Sequence, residues 1–271
     1  MVPTPSTRSS RPHFIDTSPV KGLAVAERRV EESRACVICV HGALDRGGSF
    51  ARLARRLEGF DVVVYDRRGY QGSRNLGPVD LAHHVEDLEA LVVRETTHQK
   101  VILFGHSFGG MVTLGAASHI PSAVSLVVNY ESPMSWVLPR GGFRPPLSDN
   151  PPVEAEQFFR RIMGDPAWER LSEPQRESRR LDGSALLTDL SVVRSREAPC
   201  DLATLATPFT YVYGDGAQAH YFRELASELH KINPAIETRE IHDANHDAHL
   251  KNSTQLATII QERWGHRCAS V

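Results

Sequence analysis

Cysteine is scarce in this chain of 271 residues: there are four, Cys36, Cys39, Cys200 and Cys268. They are too few and too scattered for a disulfide framework. Cys36 and Cys39 form a C-x-x-C, but inside an apolar run with the character of a strand. Residues three apart on a strand point to opposite faces, which suits neither a metal nor a redox pair. Buried free thiols are expected instead, and these favour a reducing compartment. An excess of one charge is also missing. The formal net charge is −2, which argues against a nucleic-acid partner held by a basic face. No apolar run approaches the length of a membrane-spanning helix, so no membrane partner is expected. Residues 1–12 are rich in Ser, Thr, Pro and Arg and lack the apolar core of a secretory signal. They read as a mobile tail, with the cytoplasm as the default location.

What is present has the composition of a globular protein, 41% hydrophobic and 24% charged. Strand and helix signals alternate through the first half. Strands are expected over Leu23 to Glu31, Cys36 to Val40, Asp61 to Tyr65, Val101 to Phe104 and Ala123 to Tyr130. Helices are expected over Ser49 to Leu57 with Ser49 as cap, Leu81 to Val93, and Ser107 to His119. Such alternation means a mostly parallel α/β sheet flanked by helices. Residues 133–200 break the pattern with proline, arginine and glutamate, a loop from Pro139 to Pro152, and four short helical stretches. They read as a helical cap inserted into a core made of 13–132 and 201–271. Alternation resumes with strands over Phe209 to Tyr213 and Ile236 to Ile241. Helices over Gln218 to Lys231 and Ser253 to Trp264 accompany them, the second capped by Ser253.

Gly105-His106-Ser107-Phe108-Gly109 follows one of the strand runs and opens a helix. Strand, sharp turn, then helix is the context in which G-x-S-x-G exposes a nucleophilic serine on strained backbone. Two further segments fall at the ends of strands, where open parallel sheets place their sites. They are His41-Gly42-Ala43-Leu44-Asp45 and Asp243-Ala244-Asn245-His246-Asp247. An H-G turn, a G-x-S-x-G and a late histidine resemble the α/β-hydrolase fold family. Asp66-Arg67-Arg68-Gly69-Tyr70-Gln71-Gly72-Ser73 is similar to the family's D-x-R-G-x-G-x-S stretch, with Gln71 where the family has a glycine. The resemblance spans about residues 20–265 and implies a serine-nucleophile hydrolase with a helical cap.

On that resemblance Ser107 is the nucleophile and His246 the base it needs. His249, three residues on, is the competitor and reads as a structural or rim residue. Neither histidine has metal-ligand spacing with a third partner, so no metal and no cofactor is expected. A carboxylate must orient the imidazole. In much of the family it follows the penultimate strand as G-x-x-D, but here that position is Ala217. Glu131, at the end of the strand after the elbow helix, is the first choice, because a subset of the family keeps its acid there. Asp215 is the alternative. The oxyanion hole falls to the backbone N–H groups of Phe108 and Ala43, with Leu44 as fallback for the second. His41 is read as bracing its turn. Arg46, Arg67 and Arg68 are read as surface salt-bridging residues rather than as anion binders. Trp136, Phe143, Phe158, Phe159 and Trp168 could wall a pocket or fill the cap.

The reaction implied is hydrolysis of an ester or related acyl bond in a small, apolar substrate through an acyl-enzyme. Carbon–carbon bond hydrolysis or perhydrolysis on the same serine, and a non-catalytic ligand-binding role, are the alternatives. An aspartate-nucleophile reaction is disfavoured by Ser107.

Overall fold

The computed structural model describes residues 11–15, 18–141 and 146–269, the last three without their side chains. Most of the expected tail, together with Phe143 and the side chain of Cys268, lies outside them. Eight strands form one sheet in the order β1-β2-β4-β3-β5-β6-β7-β8. They are β1 (His13–Phe14), β2 (Val25–Arg28), β3 (Cys36–Val40), β4 (Asp61–Tyr65), β5 (Val101–His106), β6 (Val124–Tyr130), β7 (Phe209–Gly214) and β8 (Glu237–Ile241). At one edge β1 pairs antiparallel with β2, and β2 antiparallel with β4; every other pairing is parallel. The central strands β3 and β5 are buried along their whole length, as continuous apolar runs must be when helices cover both faces.

Helices α2 (Leu81–Thr96), α3 (Gly109–His119) and α8 (Ala219–Ile232) supply apolar side chains to one face. Helices α1 (Ala51–Arg56) and α10 (Ser253–Ala269) cover the other. Cys36 belongs to the first core cluster and Cys39 to the second, so the C-x-x-C is split across the sheet. The period of α2 puts Val85, Leu88 and Val92 inward, and Asp80 caps it by accepting from the His83 N–H. Ser49 is not a cap. It lies in a short 3-10 turn, Gly47–Phe50, before α1, and its hydroxyl donates to Asp45 and to the Arg46 carbonyl. Ser253 is the first residue of α10 rather than the residue before it.

Between β6 and β7 the chain forms four helices: α4 (Pro151–Met163), α5 (Asp165–Glu169), α6 (Glu173–Leu181) and α7 (Gly183–Ser195). Asn150 caps α4, and Ser172 with Gln175 forms a capping box on α6. Buried polar contacts fasten this insertion to the core. Asp189 of α7 takes two hydrogen bonds from the fully buried Arg67, and Asp182 pairs with Arg74. Gln71 sits at φ +43°, a left-handed conformation that glycine adopts most readily. Here its side chain reaches Ser178 at 2.8 Å and Asp182 at 3.1 Å on the insertion. Arg67 is therefore an interior ion pair, not a surface residue. Arg68 does pair as expected, with Asp87.

The order of the strands reverses direction beside β3: β4 lies on one side of it and β5 on the other. Ligand sites in open parallel sheets form at this switch, outside the carboxyl ends of the strands. The turns that follow β3 and β5 carry Ala43 and Ser107.

Candidate active site

Ser107 stands between β5 and α3 at φ +51°. The left-handed backbone costs a non-glycine residue roughly 1–2 kcal/mol and persists only where its surroundings enforce it. They do so here through close approach. A Cβ on Gly109 would lie 2.1 Å from the Val40 carbonyl oxygen, and one on Gly105 would lie 2.6 Å from the Gly110 Cα. The Ser107 N–H bonds the Tyr130 carbonyl at 2.9 Å, and its own carbonyl accepts from Gly110 at 2.9 Å.

His246 follows β8 in a loop held on both sides of the ring's own peptide. Tyr130 donates its hydroxyl to the Asn245 carbonyl at 2.7 Å, and His106 Nε2 donates to the His246 carbonyl at 2.8 Å. The His246 Nδ1 lies 2.7 Å from Glu131 Oε2. Glu131 follows β6, is 4% exposed, and receives the Gly214 N–H on Oε1 at 3.1 Å. Both carboxylate oxygens are thus occupied, one by the end of β7 and one by the imidazole. Asp215 is turned elsewhere: it accepts from the Ala244 N–H and faces His242 at 3.2 Å. The two strand ends make different use of their acids because Glu131 stands at φ +46°, which swings its side chain toward the β8 loop.

Ser107, His246 and Ala43 together border two cavities, of about 270 and 340 Å³. The first is walled by Phe158, Leu190 and Val193, with Arg140 and Asp189 at its margin, and Glu131 and Phe108 also reach it. The second is walled by Leu44, Phe158, Phe159, Met163 and Leu171. Neither the Ala43 nor the Phe108 N–H is used in a turn or loop hydrogen bond among the described residues. Leu44 differs: its carbonyl accepts from Arg179, and its backbone faces the Tyr70 hydroxyl. Phe158 serves as pocket wall on both sides, whereas Trp168 is buried against Phe159 inside the cap. Trp136 packs on the core.

His41 is fully buried and accepts the Arg67 N–H on Nε2 at 2.9 Å, which braces the turn after β3. Burial, reinforced by the Arg67 charge, pulls its pKa down to about 3. Sequence reasoning gave no role to His106 or Asp45, which meet His249 under the loop. His106, the variable residue of the G-x-S-x-G, is buried beneath His246, with ring centroids 4.7 Å apart. Burial, then the neighbouring His249 and His246, hold it neutral, well below the ordinary histidine range. His249, read as a structural or rim residue, is buried, 4.1 Å from His106 centroid to centroid, and Asp45 lies 3.3 Å from its Nε2. Burial raises the pKa of Asp45, but its contact with His249 outweighs that and leaves the carboxyl well below the usual range. No signal in the spacing could have joined these three, because they come from the turn after β3, the end of β5 and the short helix beyond β8.

A switch-point cleft with a serine elbow on a mostly parallel, capped sheet defines the α/β-hydrolase class of protein. Residues 37–259 match the alpha/beta hydrolase family, and the chain belongs to it. No curated protein matches it as a relative. Solved structures share the fold at low identity. A lipase-esterase related protein from Clostridium acetobutylicum is similar at 17% identity and a TM-score of 0.65, over 89% of this chain and 99% of that one. An alpha/beta hydrolase from Sphaerobacter thermophilus is 22% identical with a TM-score of 0.62, over 90% and 99%. An N-formylmaleamic acid deformylase from Pseudomonas putida is 21% identical with a TM-score of 0.60, over 87% and 94%. No helix among the described residues is long and apolar enough to cross a membrane.

Proposed function

We propose that the protein is a serine hydrolase of esters or related acyl compounds. The observation that carries this reading is the 2.7 Å contact of His246 Nδ1 with the buried Glu131, beside a serine on a strained elbow in the same cavity wall. Glu131 accepts a hydrogen bond from the His246 Nδ1–H, which keeps the proton on Nδ1 and leaves the Nε2 lone pair free to take the proton of Ser107. The Ser107 oxygen attacks the acyl carbon, and the carbonyl electrons move onto oxygen. The N–H groups of Phe108 and Ala43 receive that charge. One such donor is worth about 3 kcal/mol of transition-state stabilisation. His246 then hands its proton to the leaving group, and the acyl-enzyme forms. Water, deprotonated by the same histidine, attacks the acyl carbon and releases the acid and Ser107.

Two apolar cavities meeting at Ser107 suit a substrate with a small apolar group on each side of the scissile bond. The test is labelling with a fluorophosphonate, together with turnover of p-nitrophenyl esters of short acids. Wild type should label at Ser107 and turn over, and Ser107→Ala should do neither. An unlabelled wild type with no turnover would leave a ligand-binding role in place of the hydrolase.

A further inference from the structure

Beneath the His246 loop, Asp45, His106 and His249 bring one ligand atom each to within 4.8 Å of one another. Asp45 follows β3, His106 ends β5, and His249 lies on the short helix α9 (Ala248–Lys251). Both histidines are 4% exposed. Yet among the described residues His106 Nδ1 and both ring nitrogens of His249 have no hydrogen-bond partner. Buried polar atoms without partners are rare, and each calls for something to fill the gap.

The hydrogen bonds around the cluster say what is missing. His106 Nε2 faces the His246 carbonyl at 2.8 Å, and a carbonyl only accepts, so Nε2 must carry the proton. Nδ1 is then a lone pair, and it points toward the Asp45 carboxylate, with Oδ2 at 4.0 Å. Two acceptors face each other with no donor between them. His249 Nε2 stands 3.3 Å from the same oxygen, at an angle that makes no hydrogen bond. A cation among the three would take the His106 Nδ1 and His249 Nε2 lone pairs and the Asp45 carboxylate together, leaving His249 Nδ1 with its proton.

We propose that Asp45, His106 and His249 bind a divalent transition metal of the zinc type. Two imidazole nitrogens and one carboxylate oxygen are a donor set for such an ion, and are a poor one for calcium or magnesium. Tetrahedral ligands about 2.0–2.2 Å from zinc stand roughly 3.3–3.5 Å from one another. The Asp45–His249 pair already meets that spacing, and the other ligand atoms need contract by on the order of 1 Å. The surroundings match the outer shell that orients metal ligands: the His106 Nε2–H is held by a backbone carbonyl, and Asp45 receives the Ser49 hydroxyl at 2.9 Å. The fourth position opens to the cavity of about 340 Å³, whose wall includes all three residues. The ion would join the ends of β3 and β5 to the loop that carries His246. Asp45, His106 and His249 would act on that loop as positioning residues. The site does not depend on Ser107 being a nucleophile, so its failure and that of the hydrolase reading are separate.

The experiment uses the full chain, stripped with a chelator, exposed to Zn²⁺ and freed of excess metal by gel filtration. Elemental analysis of wild type and of Ser107→Ala should find about one zinc per chain, and Co²⁺ in its place should give the visible absorption of a four-coordinate site. His249→Gln and Asp45→Asn, folded by circular dichroism, should each fall below about a tenth of that content. A lost ligand weakens binding by more than the roughly 10–100-fold that an outer-shell partner costs. Wild type retaining less than about a tenth of an equivalent would overturn the site, whatever the fate of the variants. So would equal zinc in wild type and in both ligand variants.

Discussion

Glu131→Gln is the most informative single change in this protein. The two side chains have nearly the same shape, so packing around the buried site changes little. The hydrogen bonds change in a definite way. Oε1 receives the Gly214 N–H at 3.1 Å, and only an oxygen can do that. The glutamine amide must therefore put its oxygen toward Gly214 and its NH₂ toward His246, where Oε2 now stands 2.7 Å from Nδ1. An NH₂ group forces Nδ1 to accept. The imidazole proton moves to Nε2, and the atom that should receive the Ser107 proton already carries one. Reversing a tautomer in this way lowers kcat by about 10⁴-fold, or about 5.5 kcal/mol of activation free energy. Binding is barely touched, so KM should stay within a few-fold of wild type. The assay is kcat and KM on a p-nitrophenyl ester that wild type turns over, with thermal unfolding as a check on folding. Asp215→Asn is the matched control, because its carboxylate faces Ala244 and His242 instead, and it should keep activity within about three-fold. The reasoning is refuted if Glu131→Gln retains a tenth of wild-type activity, or if only the Asp215 variant loses it by orders of magnitude.

Three further outcomes follow from the interior. Asp189→Asn leaves the fully buried Arg67 without its counter-charge and should destabilise the fold by about 3–5 kcal/mol in urea unfolding. A joint Arg67→Met, Asp189→Leu change should cost clearly less than the single one. Gln71→Ala keeps the left-handed backbone and loses the contacts to Ser178 and Asp182, for an expected loss of about 1–2 kcal/mol. Gln71→Gly, relieved of that strain, should lose less; the reverse order in the melting temperatures would show that the strain is not real. Burial lowers His41 from 6.5 to about 3, and His84 and His106 are also pulled well below 6.5. The folded state therefore refuses protons that the unfolded chain accepts. Stability is full above about pH 6.5 and is lost as pH falls below it, by up to about 1.4 kcal/mol per pH unit for each histidine. Chemical unfolding at pH 7.5, 6 and 5 measures the slope, and a flat profile would contradict it.

Much of the site could be read from local sequence. The run from Val101 through Gly109 holds strand, turn and helix within a few residues, so its geometry depends on sterics that travel with the chain. Gly105 and Gly109 announce the close approach that makes Ser107 protrude. The continuous apolar runs of β3, β4 and β5 likewise report burial on both faces. Element boundaries were less legible: Ser49 has the chemistry of a cap, but Asp45 claims its hydroxyl.

Contacts between strand ends were not legible, because they depend on register and on which turn leans toward which. Glu131 is preferred to Asp215 in the chain only through the family resemblance, since both are acids at the ends of neighbouring strands. The tertiary structure separates them through a left-handed residue at Glu131 and an amide at Gly214 that locks its carboxylate. Arg67 and Asp189 are 122 residues apart, and nothing in either neighbourhood marks an interior pair. Asp45, His106 and His249 have no spacing in common, and meet only because β3 lies beside β5 with the last loop folded over both. The chain by itself determines a parallel sheet with an exposed serine at its switch point, since both follow from periodicity and backbone sterics over short stretches. Which acid faces His246, and which buried nitrogens are left waiting for a partner, are decided by packing between segments that the sequence keeps far apart.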